Sequence, residues 1–468
     1  MLRFFIVLSL FFLSCKKETD RTISIPKNSK SILKKISSHD LSPWQKSKIN
    51  WKQFQGTTLS ILADAQPAFT ALKPILPIFE ELTGMQIGYQ NMEQMRMRKV
   101  IRIDLTARAG IYDILPVGVI FLGEAEQHGW LEDLYPYIHN PELTDFDWYD
   151  FKDISKQSLV LCKKNSKLLS IPFDFSAPIF FYRKDLFKKY NISIPNTYED
   201  VILMKKKLQA AMEKDGIKDV YAFATRARPG LGDNTWTIIP TIRAYGGDIL
   251  NKEYLPIFNS KEANQALKVY KEMVTGYGNP PDARTLHFYE IRELFKIGKL
   301  ASTILASHFF SEIDSPEKSP IWDKWDAHIT PGGPVSRETN PWAWSFAINS
   351  SSKNKGATWL FIQWATSKET AKLLKSGGAP ARMSIWESNA YQHLNAPGLI
   401  RSVRWILKKG TISSVEQGIP EFSQVGEITS RAFSEIFYGA DIQTTLNTAN
   451  KKVYKIMING SSYKNRNK

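Results

Sequence analysis

The chain has 468 residues, of which 43% are hydrophobic and 23% charged; this is typical of a globular protein and excludes a disordered, collagen-like or multi-span membrane protein. Its net charge of +16 is concentrated at the two ends: residues 16–55 contain ten basic and three acidic side chains, and residues 451–468 contain six basic and no acidic ones. Because the body between them is nearly neutral, we expect solvated terminal tails and no nucleic-acid partner.

The amino terminus has the pattern of a bacterial export signal. Arg3 is followed by residues 4–14, a run without charge that is too short to span a bilayer as a helix. Residues 12–15, with the sequence FLSC, resemble a lipobox, although Phe12 stands where leucine is usual. We therefore expect residues 1–14 to be removed as a lipoprotein signal peptide and Cys15 to be acylated, which would anchor the chain in a membrane.

The next segment has the composition of a tether. Residues 15–55 are polar and rich in lysine, with weak hydrophobic periodicity, so we expect folding to begin near Thr57. If Cys15 is acylated, Cys162 is the only remaining thiol, and no intrachain disulfide is expected.

The body begins with alternating strand and helix patterns. Residues 57–62 alternate like a strand, and apolar residues then recur at helical spacing up to Gly84, with a late start or a kink expected at Pro77. Strands are predicted at residues 86–90 and 112–117, with a helix at 95–109 between them. This alternation predicts an α/β fold with a largely parallel sheet.

The second part of the body continues the mixed pattern. Residues 168–182 are apolar and interrupted by prolines, which favours extended chain that crosses between two lobes. Residues 197–200 resemble a capping box ahead of a helix. Further helices are predicted at 261–275 and 354–366, and a strand at 342–348.

Motifs for common enzyme chemistry are absent from the sequence. It contains no phosphate-binding loop, no HExxH or paired CxxC spacing, no GxSxG elbow and no GxGxxG after a strand. No cofactor or metal is therefore expected. A pair of glycosidase carboxylates would leave no local motif, and Asp64 and Asp174 are the first candidates for one.

The order of several segments resembles the extracellular solute-binding proteins of ABC importers, in particular the carbohydrate-binding family that includes maltodextrin- and polyol-binding proteins. Each segment alone is weak evidence for the resemblance, but seven segments occur in the family's order. The segments are residues 57–84, 112–134, 171–187, 244–248, 295–301, 344–349 and 378–382.

The resemblance implies a class II periplasmic-binding-protein fold: two α/β lobes with a ligand cleft between them that closes by a hinge motion. The expected domain organisation is residues 1–14 as signal peptide, 15–55 as tether, 56–171 as the first part of lobe 1, 172–342 as the first part of lobe 2, 343–385 as a return to lobe 1, 386–450 as helices mainly on lobe 2, and 451–468 as a basic tail.

The resemblance also implies candidate ligand-binding residues. Sugar hydroxyls need planar polar groups, and apolar sugar faces stack on aromatic rings. Trp236 aligns with an aromatic residue that stacks on sugar in maltodextrin-binding relatives, and His308 stands where such relatives have a stacking tryptophan. The remaining candidates are Asp64 after the first strand, Asp174 and Phe175 on the crossing strand, Trp342 and Trp344 at the second crossing, and Arg382.

Structural roles for these residues remain open. Trp342 and Trp344 lie on one face of a strand, so both line the cleft or both are buried. Asp64 could instead cap the following helix, and Arg382 could pair with a surface carboxylate. Trp359 and Trp364, on a helical stripe, are assigned to the core.

Together these observations predict a monomeric, non-catalytic lipoprotein on the periplasmic side of the cell membrane or on the outer membrane. It would capture a sugar or polyol and deliver it to an ABC permease. Three alternatives stay open. The first is a receptor for a peptide or an organic anion, and Arg226, Arg228 and Arg382 favour the anion. The other two are a lipid-anchored glycosidase and a surface adhesin.

Overall fold

A computed structural model of the chain describes residues 39–64, 66–230, 233–374, 379–388, 391, 396–409 and 418–466, and residues 41–466 belong to one compact unit. The predicted signal peptide, Cys15 and the first part of the tether lie outside the described residues. No helix in these ranges is long and apolar enough to cross a bilayer. The strands are β1 Thr58–Asp64, β2 Gln86–Met92, β3 Ile114–Val117, β4 Lys163–Lys164, β5 Lys167–Leu168, β6 Ile171–Ser176, β7 Pro178–Arg183, β8 Ser302–Ala306, β9 Trp325–Ile329 and β10 Trp342–Ile348.

Helices surround the two larger sheets. The α-helices are Ser42–Gln45, Pro67–Leu72, Leu76–Thr83, Gln94–Ala107, Val119–His128, Tyr135–Ile138, Phe146–Tyr149, Lys156–Val160, Lys184–Lys189, Tyr198–Lys214, Thr235–Ala244, Lys261–Val274, Phe288–Lys296, Phe310–Ile313, Lys355–Ala365, Lys368–Leu373, Met383–Trp386, Pro397–Lys409, Phe422–Phe437, Ile442–Asn459 and Ser461–Arg466. Short 3₁₀-helices occupy Lys73–Ile75, Phe151–Asp153, Ala283–Thr285 and Ser307–Phe309.

Lobe 1, the part of the chain built on the five-stranded sheet, has the strand order β2-β1-β3-β10-β6. β1 pairs in parallel with β2 and β3, and β10 runs antiparallel to β3 and β6. The predicted strand–helix opening is confirmed. The helical run is broken at Lys73–Ile75, and its last helix has Pro77 in the first turn and ends at Gly84 with φ 70°.

Lobe 2, the part built on the three-stranded antiparallel sheet β8-β7-β9, is mostly helical. Its cores are formed by helices such as Tyr198–Lys214 and Lys261–Val274 and by the carboxyl-terminal helices Phe422–Phe437 and Ile442–Asn459. The predicted capping box is present, because Thr197 and Asp200 satisfy each other's backbone amides.

The chain crosses from lobe 1 to lobe 2 at Ala177, between β6 and β7. The predicted boundary after residue 171 is therefore too early, since all of β6 is buried and pairs with β10 in the lobe 1 sheet. The return to lobe 1 occurs with β10, and the chain is back on lobe 2 at the helix Pro397–Lys409, where the amide of Gly398 donates to Asp326 of β9.

Both basic ends fold further than predicted. Trp44, Ile49 and Trp51 are buried in the lobe 1 core, so the tether prediction is wrong from residue 41 onwards. At the other end Val453 and Met457 are buried in a lobe 2 core, which contradicts the predicted basic tail. In both segments exposed lysines alternate with buried apolar residues, and a count of charge does not detect that spacing.

Candidate functional site

A cavity lies between the two lobes, with about 530 Å³ of unfilled space, part of it open to solvent. Lobe 1 supplies a glutamine after β1, two residues one turn apart on the helix Gln94–Ala107, and two tryptophans of β10. Lobe 2 supplies side chains from the helices Thr235–Ala244 and Phe288–Lys296 and from the turn after β8. The main lining residues are Gln66, Gln94, Arg98, Ser176, Trp342 and Trp344, and Arg226, Asp233, Trp236, Phe288, His308 and Phe309.

Arg226 is held in the lobe 2 wall by a carboxylate and two rings. Its Nη1 lies 3.1 Å from Oδ1 of Asp233, and its guanidinium carbon lies 4.4 Å from the ring centre of Trp236 and 4.7 Å from that of Phe288. Burial lowers the pKa of Arg226, and Asp233 opposes that shift. Burial also opposes ionisation of Asp233, but Arg226 and His287 outweigh it and hold its pKa below the usual value.

His308 and Asp174 form a buried pair at the first crossing. Nδ1 of His308 lies 2.9 Å from Oδ2 of Asp174, and the two side chains are 6% and 2% exposed. His308 lines the cavity, whereas Asp174 on β6 does not. The carboxylate therefore orients the imidazole from outside the cavity.

Arg98 enters the cavity from lobe 1. Its guanidinium carbon is 5.8 Å from the ring centre of Trp342. Burial lowers the pKa of Arg98, and the negative charges of Asp233 and Asp64 oppose that shift. Trp342 packs so closely on the backbone at Gly118 that an added Cβ there would lie 2.1 Å from the indole. Only glycine thus allows the ring to lie at that wall of the cavity.

Several contacts join the lobes around the cavity. The hydroxyl of Tyr289 donates to Asp64 at 3.2 Å. Burial is the main cause that raises the pKa of Tyr289, and the charge of Asp64 raises it further. Beyond the cavity, Nη2 of Arg102 donates to Ser423 at 3.0 Å. These contacts join the lobes in a closed arrangement.

Apart from Oδ2 of Asp233, which lies 3.1 Å from Nε2 of His287, five buried polar atoms of the lining residues have no hydrogen-bond partner among the described residues. Two are donors, Nε of Arg226 and Nε1 of Trp236, and the oxygens include Oε1 of Gln66 and Oγ of Ser176. The fifth is Nε2 of His308. Because an unpaired buried polar atom is costly, this concentration marks a place that a polar solute or water fills.

The structure brings four of the eight candidate residues to the cavity: Trp236, His308, Trp342 and Trp344. Asp174 and Phe175 are buried on β6 and do not line the cavity, and Asp64 lies at the interlobe contact with Tyr289. Trp359 and Trp364 are in the lobe 1 core, as predicted. Contact of the cavity residues with a ligand stays a prediction.

The placement of Arg382 in the cleft is wrong. Its Nε donates to the carbonyl of Thr366 at 2.8 Å, its Nη1 donates to the carbonyl of Asp150 at 2.5 Å, and its guanidinium carbon lies 4.9 Å from the ring centre of Tyr149. The residue is 2% exposed and does not line the cavity, so it serves lobe 1 packing. Of the preceding loop, Gly377 and Gly378 lie outside the described residues.

Sequence reasoning missed Gln66, Gln94, Arg98 and Asp233. The spacing of Gln94 and Arg98 by four residues on a helix places both on one face, which was a detectable signal. Asp233 directly precedes the segment around Trp236, but its pairing with Arg226 depends on how the loop folds.

The profile of the bacterial extracellular solute-binding protein family matches residues 60–372. The erythritol/L-threitol-binding protein of Mycolicibacterium smegmatis is 25% identical over 434 residues, 86% of each chain, and the mannitol-binding protein of Pseudomonas aeruginosa is 26% identical over 401 residues, 82% of this chain and 88% of the relative. A solute-binding protein of an ABC transporter from Agrobacterium radiobacter, solved with ribitol, superposes with a TM-score of 0.77 and 24% identity over 86% of this chain and 99% of that chain. The predicted two-lobed fold is confirmed. The chain belongs to the bacterial extracellular solute-binding protein family.

Proposed function

We propose that the protein is a receptor that captures a neutral sugar or polyol between its lobes and delivers it to an ABC permease. Cys15, once acylated, holds the receptor at the membrane. The chain acts by binding and release and has no catalytic step.

The observation that carries this proposal is the set of five unpartnered polar atoms in the cavity. Arg226 and Trp236 can only donate hydrogen bonds, the Gln66 oxygen can only accept, and Ser176 can do both. A hydroxyl group also donates and accepts, so a polyhydroxylated solute satisfies such a mixture with one kind of group. An apolar solute would leave these atoms unpaired.

The three arginines singled out for an organic anion are each engaged by groups of the protein, and Arg98, the other arginine of the cavity, lies in the fields of Asp233 and Asp64. Arg226 is paired with Asp233, and Arg228 lies 3.6 Å from Glu290. Arg382 is held by backbone carbonyls away from the cavity. The three arginines that favoured an anion therefore offer no free charge, and the relatives named after erythritol and mannitol bind neutral polyols.

A glycosidase is disfavoured by the positions of the two candidate carboxylates. Asp174 is bonded to His308 and Asp64 to Tyr289, and neither lines the cavity. General acid catalysis requires a carboxyl group within hydrogen-bond reach of the substrate.

Delivery follows from the closed arrangement of the lobes. A solute that contacts Gln66 and Arg98 on one wall and Arg226 and Trp236 on the other stabilises the closed state over the open one. A permease that recognises the closed state then receives loaded receptor in preference to empty receptor.

The test is isothermal titration calorimetry of the full chain in detergent against ribitol, D-mannitol, D-tagatose, maltose, amino acids, peptides and organic anions. We expect saturable binding of at least one neutral sugar or polyol at about micromolar Kd, with the solute recovered unchanged. Binding confined to peptides, anions or macromolecules would contradict the proposal, and turnover of a glycoside would establish the enzyme.

The anchor is tested separately with Cys15→Ser. We expect the wild-type chain in the membrane fraction and the variant in the soluble fraction. Cys162→Ser is the matched control, because that cysteine is buried in the folded body and its loss should leave the protein in the membrane.

A further inference from the structure

His308 occupies a position that the resemblance associates with a stacking tryptophan, yet its surroundings suit hydrogen bonding. It lies in the 3₁₀-helix Ser307–Phe309 directly after β8 and is 4% exposed. The ring meets Phe309 edge to face, with centroids 4.3 Å apart. A small polar ring at this wall of the cavity presents a nitrogen atom to a solute instead of an apolar face.

Asp174 determines which nitrogen carries the proton. An ionised carboxylate only accepts hydrogen bonds, so an ionised Asp174 at 2.9 Å would place the hydrogen on Nδ1 of His308. In the neutral ring Nε2 then carries a lone pair. Asp174 is 1% exposed and is not among the residues that line the cavity, so the protein shields this bond from a solute.

Nε2 of His308 has no hydrogen-bond partner among the described residues, and it is buried at the cavity wall. The nearby unpartnered groups of Trp236 and Arg226 are donors that do not reach it. A solute hydroxyl can supply the missing donor and still accept from another wall.

We propose that Asp174 is a positioning residue that makes His308 a hydrogen-bond acceptor for one hydroxyl of the solute, so that the receptor rejects solutes unable to donate a hydrogen bond there. This inference rests on the proposed function. It adds to it the hydrogen-bonding role that one contact with the solute must have.

The first experiment measures, at one pH, the affinity of ribitol and D-mannitol and of each singly deoxygenated derivative. We expect removal of one particular hydroxyl to weaken binding about 100-fold. His308→Gln, which keeps an acceptor oxygen, should retain part of the affinity, and His308→Leu should lose it.

The second experiment observes the ring nitrogens of His308 by ¹⁵N NMR in the unliganded full chain, which requires no solute. We expect a proton on Nδ1 and none on Nε2 at neutral pH, and a shift of the proton to Nε2 in Asp174→Ala. His328→Gln is the matched control, because His328 lies on β9 of the same lobe outside the cavity and its replacement should change neither readout.

A proton on Nε2 at neutral pH, or equal affinity for every singly deoxygenated derivative, would overturn this inference while leaving a sugar or polyol receptor intact. Absence of binding by every sugar and polyol would instead overturn the proposed function. The NMR result decides the role of Asp174 in either case, even if Asp174→Ala folds poorly, because the wild-type chain alone reports the tautomer.

Discussion

Arg226 in lobe 2 and Arg382 in lobe 1 are both buried, both stack on aromatic rings and both have a pKa that burial lowers. Their partners differ. Arg226 is held by the carboxylate of Asp233 and keeps Nε unpaired at the cavity wall. Arg382 donates to two backbone carbonyls, its Nη1 has the carboxylate of Asp153 only at 3.9 Å, and its unpaired Nη2 lies away from the cavity.

The difference shows how one residue type serves two purposes. Arg382 donates hydrogen bonds to backbone carbonyls of two separate segments and so holds these segments together. The single carboxylate beside Arg226 compensates its charge while leaving a donor for a solute. The kind of partner therefore distinguishes a packing arginine from a binding one more clearly than burial does.

The largest expected effect is on stability, where Arg382 should contribute through its packing role. Arg382→Met leaves the carbonyls of Thr366 and Asp150 without their donors, so we expect a loss of about 3 kcal/mol in the free energy of unfolding. Urea denaturation measures the loss. Arg228→Gln, whose arginine is half exposed, is the control and should change stability by less than about 0.5 kcal/mol. Equal losses in the two variants would contradict the packing role of Arg382.

The next effect is on the affinity for the solute, in which Arg226 and Arg382 should differ. Arg226→Met keeps an apolar chain between Trp236 and Phe288 but removes the donor at the cavity, so we expect about 30-fold weaker binding of the best polyol. Folded Arg382→Met should bind with nearly wild-type Kd. Calorimetry at a temperature where both variants are folded makes the comparison, and an unchanged Kd for Arg226→Met would remove Arg226 from the site.

A smaller effect tests whether Asp64 acts in closure. Tyr289→Phe deletes the hydroxyl that bridges to Asp64 and leaves the ring in place, so the closed state should lose about 1 kcal/mol and binding should weaken about fivefold. Small-angle X-ray scattering should show a larger radius of gyration at subsaturating solute. Tyr277→Phe, on an exposed hydroxyl of lobe 2, should change neither quantity.

The smallest effect concerns the two cysteines. Burial raises the pKa of the Cys162 thiol to about 12, so it should not react with a maleimide until the chain unfolds. Membrane-extracted protein should therefore show no reactive thiol when folded and one when denatured. Two thiols in the denatured protein would mean that Cys15 is not acylated.

Much of the fold was predictable because its signals are local. The alternation around β1 and the proline in the first turn of Leu76–Thr83 each depend on neighbours a few residues away. The alternation of Trp342 and Trp344 on β10 placed both indoles at one wall of the cavity. The ends were mispredicted because lysines dominate the composition there, while the buried positions of Trp44 and Val453 are set by packing against distant segments.

The sequence by itself determined the family, the order of strands and helices and the aromatic character of the cavity, since repeated local patterns specify them. Only the tertiary structure decided which polar side chains meet. Asp174 and His308 are 134 residues apart in the chain, and Arg226 became a cavity residue while Arg382 became a packing residue. Hydrogen bonds act over about 3 Å, so these roles depend on three-dimensional placement that composition and spacing do not encode.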